Sequence, residues 1–222
     1  MYNDASGNNI LIGKLFEDLD ALAGNIAFKH CDDNNPTSQA PNLVTVSVDK
    51  IIQAVPLSVK NDLVVFGQIA WVGRSSMDIL MKAYYKHDLK GDLSDGMPPI
   101  LDSDGSGSLL TCVFTFVARS GRAGHAVEVN KLLLGTHFEH EVFKIRASKA
   151  QLRNKSSKNN KIQICQKSLT QLVERGSAML DMPALAHPNA VLMRQTSLEN
   201  SFICQPQNVN LAGTVFGGFL SE

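Results

Sequence analysis

The sequence predicts an α+β fold in which one antiparallel sheet packs on one long helix. Apolar residues recur at steps of three and four between Gly13 and Cys31, which is the period of an amphipathic helix. Three or four apolar strands follow this helix, and no further helix is predicted between them. A helix followed by a run of strands is typical of an α+β unit with a single sheet.

The helix is predicted to run from about Ile12 to Cys31, where a cluster of turn-forming residues ends it. One of its stripes is apolar and another, at the same period, is polar and is expected to face solvent. The apolar stripe comprises Leu15, Leu19, Leu22 and Ile26, and the polar stripe comprises Lys14, Asp18, Asn25 and Lys29.

Asp20 belongs to neither stripe. At about 100° per residue it points about 200° away from Asp18, toward a face made mostly of small apolar residues. A carboxylate removed from water is costly unless it has a partner or a task. Two interpretations are open: a surface aspartate at an irregular helix position, or a functional carboxylate.

Strands are predicted from alternation and apolar content over residues 43–51, 63–71, 77–85 and 109–119. The first strand is expected to place on one face Val44, Val46 and Val48, and on the other Thr45, Ser47 and Asp49. The last strand is apolar on both faces, which predicts a central position in the sheet. Together these elements come close to the hotdog arrangement, in which a sheet wraps a central helix.

The composition limits the classes of function. The 222 residues include 21 basic and 21 acidic side chains, so no overall charge directs the chain to nucleic acid or to a membrane. Four scattered cysteines without a C-x-x-C spacing argue against a zinc site and against a disulfide scaffold. No apolar run reaches membrane-spanning length, and neither a metal nor another cofactor is expected.

Residues 144–167 carry eight lysines and arginines and no acidic residue. This stretch is predicted to be a solvent-exposed, poorly ordered linker, and the alternative is a contact to phosphate groups. The absence of interleaved aromatic residues argues against a surface for stacking bases. The expected division is a first domain at 1–130, a linker at 131–197 and the start of a second domain at 198–222.

Four segments carry a resemblance to a known family: GKLFEDLDALAG at 13–24, VTVSVDKI at 44–51, WVGRSSM at 71–77 and NVNLAGTVFGGFL at 208–220. They resemble the two-domain hotdog acyl-coenzyme A thioesterases, closest to the mitochondrial acyl-coenzyme A thioesterase 9 type. The resemblance implies a hotdog fold and hydrolysis of fatty acyl-CoA to fatty acid and CoA. It also implies that most of a second hotdog domain is missing, as in a truncated product.

The resemblance implies a composite catalytic site. In this family a helix aspartate seven residues after a glycine is catalytic, and Asp20 lies seven residues after Gly13. A loop asparagine seven residues before a glycine pair is the second catalytic residue, which identifies Asn210 ahead of Gly217 and Gly218. Backbone N–H groups at helix starts, around Gly13 and around the glycine pair, would bind the thioester carbonyl.

Asp20 would activate water as a general base, or attack the carbonyl directly and form an anhydride. The apolar residues Phe16, Ala23 and Ala27 would leave room for an acyl chain. Arg74 is a weaker candidate, either for contact with a CoA phosphate or as a surface arginine in a turn.

The alternative function is a catalytically impaired hotdog remnant that binds acyl-CoA or pairs with another hotdog subunit. The apparent truncation favours this alternative. The first half has Ala5 where the family's loop asparagine would be, which implies only one composite site. An uncovered sheet edge and helix face would favour hotdog–hotdog pairing within or between chains. The resemblance implies a mitochondrial location, whereas the lack of a visible transit peptide predicts a cytoplasmic one if the N-terminus is complete.

Overall fold

The computed structural model describes residues 7–33, 35, 41–89, 107–121, 124–158, 166–182, 189, 191, 193–209, 215, 217 and 219. The chain divides into two compact units. One unit comprises residues 1–150 with 204–222 and contains the sheet, and the other comprises residues 151–203.

The long helix predicted near the start of the chain is confirmed as α1, Ile12–Cys31. Its apolar face is buried through residues that include Leu15, Leu19 and Ala23. The predicted solvent stripe is exposed at Asp18, Asn25 and Lys29, and it is half-buried at Lys14, which pairs with Glu17. Lys29 and His30 occupy the last turn, where positive charge is favourable to the helix dipole.

The four predicted strands are confirmed, with ends that differ from the prediction by at most two residues. They are β1, Asn42–Gln53; β2, Leu63–Val72; β3, Ser76–Tyr85; and β4, Leu110–Arg119. They form one antiparallel sheet in the order β1–β4–β3–β2, and α1 packs on one face of it. β4 therefore lies in the interior of the sheet, as its two apolar faces predicted.

Two side chains of the core lie over Gly67 in β2. A Cβ atom at this position would overlap Ile26 Cδ1 of the helix and would lie 2.5 Å from Met81 Sδ of β3. Protein interiors are close-packed, so a side chain here would force the ends of the Ile26 and Met81 side chains to move. Glycine at position 67 leaves room for both.

The cysteines of the described residues, Cys31, Cys112 and Cys204, are free. Cys112 lies in the core under α1, and burial raises the pKa of its thiol to about 12. The thiol therefore stays protonated and unreactive at neutral pH, and Cys112 behaves as a small apolar core residue.

The predicted faces of β1 are wrong because the strand contains a β-bulge. Thr45 pairs with Phe116 and Ser47 pairs with Thr115, so Val46 is an extra residue in β1. The extra residue shifts the alternation by one position. Thr45 consequently points toward α1, Ser47 lies on the outer face of the sheet, and Val46 is 60% exposed.

The prediction of an exposed, poorly ordered basic stretch is wrong for its first part. Residues His137–Lys158 form helix α2, which begins in a capping box where Thr136 and Glu139 each accept the other's backbone N–H. Arg146 and Ala150 of this helix are buried, with exposed fractions of 5% and 4%. Residues 159–165 of the stretch lie outside the described residues.

A buried ion pair holds α2 on the outer face of the sheet. Arg146 donates to Asp78 Oδ2 from Nε and Nη2, at 2.9 and 2.7 Å. Thr115 Oγ1 of β4 donates to the other carboxylate oxygen at 2.8 Å. Asp78 is fully buried on β3, so its charge is tolerated because these donors replace water.

In the second unit, helix α3 spans Gln166–Asp181, and all its side chains are exposed within that unit. The helices of the described part of the chain are all too short or too polar to cross a membrane.

We predict that Arg146→Met lowers the free energy of unfolding by about 3–5 kcal/mol, because Asp78 would lose its guanidinium partner while remaining buried. Denaturant unfolding followed by circular dichroism measures the loss. Lys144→Met is the matched control, since Lys144 is exposed on the same helix and the change should stay within about 0.5 kcal/mol. Equal effects of the two changes would show that the ion pair does not anchor α2.

Candidate active site

Asp20 lies in the middle of α1 and is only 2% exposed. Thr45 Oγ1 of β1 donates a hydrogen bond of 2.8 Å to Asp20 Oδ1. A hydrogen bond to a charged group contributes about 1.5–3 kcal/mol, so this contact offsets part of the cost of burying the carboxylate. Of the two interpretations of Asp20, the irregular surface aspartate is therefore excluded.

Thr45 is a site residue that the sequence prediction missed. Regular alternation assigned it to the face opposite Val44 and Val46, without a connection to α1. The bulge at Val46 provides the connection, because it lets Thr45 point toward the helix while the rest of β1 continues along β4.

The backbone at Gly217 lies against the same carboxylate. A Cβ atom on Gly217 would lie 3.2 Å from Asp20 Oδ2 and 3.2 Å from Thr45 Cβ, which is tighter than an ordinary van der Waals contact. Gly217 has helical conformation, and Val215 just before it forms a bridge with Val209. A glycine here lets the backbone approach Asp20 closely, which a side chain would oppose.

The structure describes only some of the other residues that were predicted for the site. Asn210 and Gly218 lie outside the described residues. Gly13 is the second residue of α1 and lies about 10 Å along the helix from Asp20, given a rise of about 1.5 Å per residue. The structure thus brings Gly217, but not Gly13, beside the carboxylate of Asp20.

Arg74 is exposed in the turn between β2 and β3. Next to this turn Met77 pairs with Phe116, which in turn pairs with Thr45. Arg74 therefore lies at the same end of the sheet as Thr45, two strands away.

The space expected for an acyl chain beside Phe16, Ala23 and Ala27 is filled, so that expectation is wrong. All three residues are buried in the core under α1, and two of them have no exposed surface. A cleft of about 460 Å³ lies elsewhere, between α1 and β2, and Asp20 does not line it. Its lining residues are Ile10, Leu15, Asp18, Leu19, Leu22, Val59, Asn61, Asp62, Leu63 and Val65.

Among the residues that the structure describes, no three His, Cys, Asp or Glu side chains come together as a metal site would require. The chemistry available at Asp20 is that of a buried carboxylate beside a hydroxyl donor and a half-buried glycine. Such a carboxylate can accept a proton or attack an electrophilic carbon.

Sequence comparison connects this arrangement to named proteins. The chain is 43% identical over 221 residues to acyl-coenzyme A thioesterase 4, mitochondrial, of Humulus lupulus, which covers 96% of the chain and 39% of the relative. It is 38% identical over 217 residues to acyl-coenzyme A thioesterase 2, chloroplastic, of the same plant, covering 96% and 47%. The chain is thus similar to two plant proteins named acyl-coenzyme A thioesterases. No family model matches it.

The expected likeness to the type 9 thioesterases needs correction. Acyl-coenzyme A thioesterase 9, mitochondrial, of Mus musculus is 30% identical over 223 residues, covering 96% of the chain and 47% of the relative. Both plant thioesterases are more similar. The chain spans less than half the length of each of these relatives.

Structural comparison shows that the fold is the hotdog fold. An acyl-CoA hydrolase from Bacillus cereus superposes with a TM-score of 0.52 at 21% identity, covering 77% of this chain and 87% of the other. An acyl-CoA hydrolase from Staphylococcus aureus, solved with butyryl coenzyme A and coenzyme A, gives a TM-score of 0.53 at 16% identity. It covers 78% of this chain and 88% of the other.

We predict that Thr45→Val lowers the free energy of unfolding by about 1–3 kcal/mol, because Asp20 Oδ1 loses a hydrogen-bond donor that water cannot easily replace. Thermal or denaturant unfolding measures the change. Ser47→Ala, which removes a hydroxyl just past the bulge on the outer face, should change stability by no more than about 0.5 kcal/mol. A neutral Thr45→Val variant would mean that the hydroxyl does not support the buried carboxylate.

Proposed function

We propose that this chain hydrolyses acyl-CoA thioesters to a free fatty acid and CoA, with Asp20 as the catalytic carboxylate. The observation that carries the proposal is a buried carboxylate on the central helix that accepts a hydrogen bond from Thr45 and lies close to Gly217. The relationship to acyl-coenzyme A thioesterases over 96% of the chain supports the substrate class.

In the proposed reaction Asp20 removes a proton from a water molecule as the water oxygen forms a bond to the thioester carbonyl carbon. The carbon–sulfur bond of the tetrahedral intermediate then breaks. CoA leaves as a thiolate and takes the proton back from Asp20, and the fatty acid is released. In the second route a carboxylate oxygen of Asp20 attacks the carbonyl carbon, CoA leaves, and water hydrolyses the resulting anhydride.

Negative charge develops on the carbonyl oxygen in both routes, and backbone N–H groups at the start of a helix can stabilise it. We assign this role to Gly217 and its neighbour Gly218 rather than to Gly13, because Gly217 is the glycine beside Asp20. Asn210 is proposed to orient the water or the carbonyl. Arg74 is proposed to contact a CoA phosphate, since its turn lies at the same end of the sheet.

We further propose that β1 pairs with a second hotdog sheet, either of the same protein or of a second copy. β1 is at the edge of the described sheet and exposes large apolar side chains at Val46, Ile51 and Ile52. Such an edge is a template for strand pairing. The second sheet would cover these side chains.

A location in an organelle is also proposed, because the relatives are named mitochondrial or chloroplastic. Detection of the native protein in purified organelles would support this location, and its recovery in the cytosol alone would contradict it.

We predict that Asp20→Asn lowers kcat for acyl-CoA hydrolysis by about 10²–10⁴-fold while acyl-CoA binding changes much less, because the amide keeps the shape and removes the base. Steady-state kinetics and calorimetric binding measure the two effects. Asp18→Asn, on the exposed side of the same helix, is the control and should leave kcat unchanged.

The same measurements test the alternative function. An unmodified protein that binds acyl-CoA without turnover would be the catalytically impaired hotdog remnant. An Asp20→Asn variant with turnover near that of the unmodified protein would remove Asp20 from the mechanism.

We predict that Val46→Lys combined with Ile51→Lys weakens association through the β1 edge, because charged side chains there oppose strand pairing. Sedimentation velocity should show a shift toward the smaller species at equal concentration. Leu133→Lys is the matched control, since Leu133 is an exposed apolar residue away from β1. The β1 proposal is wrong if all three proteins sediment alike.

A further inference from the structure

The turn that carries Arg74 is held by the backbone of two other segments. Val129 N donates to Arg74 O at 2.9 Å, and Ala118 N of β4 donates to Ser75 O at 2.8 Å. The carbonyl oxygens of both residues at the tip of the turn therefore have donors from elsewhere in the unit. The side chain of Arg74, by contrast, is exposed to solvent.

Val129 belongs to residues 125–130, which we call the strap. The strap follows β4 and folds back along its end, where Val127 N donates to Ala118 O at 2.9 Å. Val129 is only 7% exposed and packs in the core under α1. The strap is therefore fixed to the body of the unit on both sides of its contact with the Arg74 turn.

Asn130, the last residue of the strap, is joined to the end of α1 by two hydrogen bonds. Its Nδ2 donates to His30 O at 2.8 Å, and His30 Nε2 donates to Asn130 O at 2.8 Å. The carbonyl of His30 lies in the last turn of α1, where the helix supplies no donor of its own. We call this pair of hydrogen bonds the clasp. It fixes the strap to the helix one residue after the hydrogen bond from Val129 to Arg74.

We propose that the clasp positions the guanidinium of Arg74 for the phosphate groups of CoA, so that Asn130 and His30 are positioning residues for substrate binding. The inference rests on the proposed function. Ordering a free turn and its side chain at the moment of binding costs affinity, and a turn that is already fixed avoids part of that cost. A planar guanidinium on a fixed backbone can bind a phosphate through two parallel hydrogen bonds.

The clasp also connects the two parts of the proposed site. α1 carries Asp20, and the turn between β2 and β3 carries Arg74. The route from one to the other runs from the end of α1 through Asn130 and Val129 to the carbonyl of Arg74. Loss of the clasp should therefore weaken binding of the phosphate end of the substrate and leave the chemistry at Asp20 intact.

The first test measures Asn130→Ala with two substrates. Butyryl-CoA carries the phosphates, and S-butyryl-N-acetylcysteamine has the same thioester without them. Asn130→Ala should raise KM for butyryl-CoA by about fivefold or more, with kcat unchanged, and should leave kcat/KM for the phosphate-free thioester unchanged. A change that only destabilised the fold would lower activity toward both substrates. Asn25→Ala, exposed on the solvent stripe of α1, is the matched control and should alter neither.

The second test shows whether Asn130 acts through Arg74. Arg74→Met should raise KM for butyryl-CoA at least as much as Asn130→Ala does. The double variant should match Arg74→Met alone, because the clasp then has no guanidinium to position. His30→Phe removes the other hydrogen bond of the clasp and should raise KM in the same way, which covers the case that Asn130→Ala does not fold.

Equal losses with both substrates would overturn the inference. An Asn130→Ala effect that persists in full in the Arg74→Met background, or an unchanged KM in the clasp variants, would overturn it too. If the unmodified protein hydrolyses no thioester, the proposed function fails, and calorimetric binding of CoA and of phosphate-free pantetheine to the same variants decides the inference. A loss of CoA affinity in Asn130→Ala that disappears in the Arg74→Met background supports it, and absence of that loss overturns it.

Discussion

The hydrogen bond between Thr45 and Asp20 is the constraint on which the arrangement of this molecule depends. A carboxylate can lie between a helix and a sheet only if a donor meets it there, and the donor must come from the strand that the helix crosses. With regular alternation along β1, the side chain of Thr45 would point away from α1. The bulge at Val46 changes which side chains of β1 face the helix, and it does so directly beside the carboxylate. The bulge in the edge strand β1 and the burial of the Asp20 carboxylate therefore depend on each other.

Each face of the sheet buries one aspartate, and the two aspartates have different hydrogen-bond partners. On the outer face, Asp78 receives two hydrogen bonds from the Arg146 guanidinium and one from Thr115. This ion pair holds α2 on the sheet, and its donors occupy both oxygens of the Asp78 carboxylate. On the inner face, the Asp20 carboxylate accepts a hydrogen bond from the hydroxyl of Thr45. Asp20, rather than the ion-paired Asp78, is the carboxylate that we propose to accept a proton or attack a carbon.

The elements with a regular pattern could be predicted from the sequence. α1 followed from the period of its apolar residues, and the interior position of β4 followed from its two apolar faces. The faces of β1 could not be predicted, because one extra residue leaves composition unchanged and reverses the alternation. α2 was mistaken for a linker because its lysines resemble a solvated stretch. Its anchor depends on Asp78, and a charge within an apolar strand was the available signal that a cation must cover that face.

In the candidate site, too, the local features could be predicted from the sequence, and the contacts between distant residues could not. Asp20 stood out on the helix because it belonged to neither stripe, but its partners come from β1 and from position 217, far along the chain. Two glycines also have surroundings that the sequence cannot distinguish. At Gly67 a Cβ atom would meet the ends of the Ile26 and Met81 side chains, whereas at Gly217 it would lie 3.2 Å from Asp20 Oδ2. Only contacts made across the fold show which of these glycines lies at the candidate site.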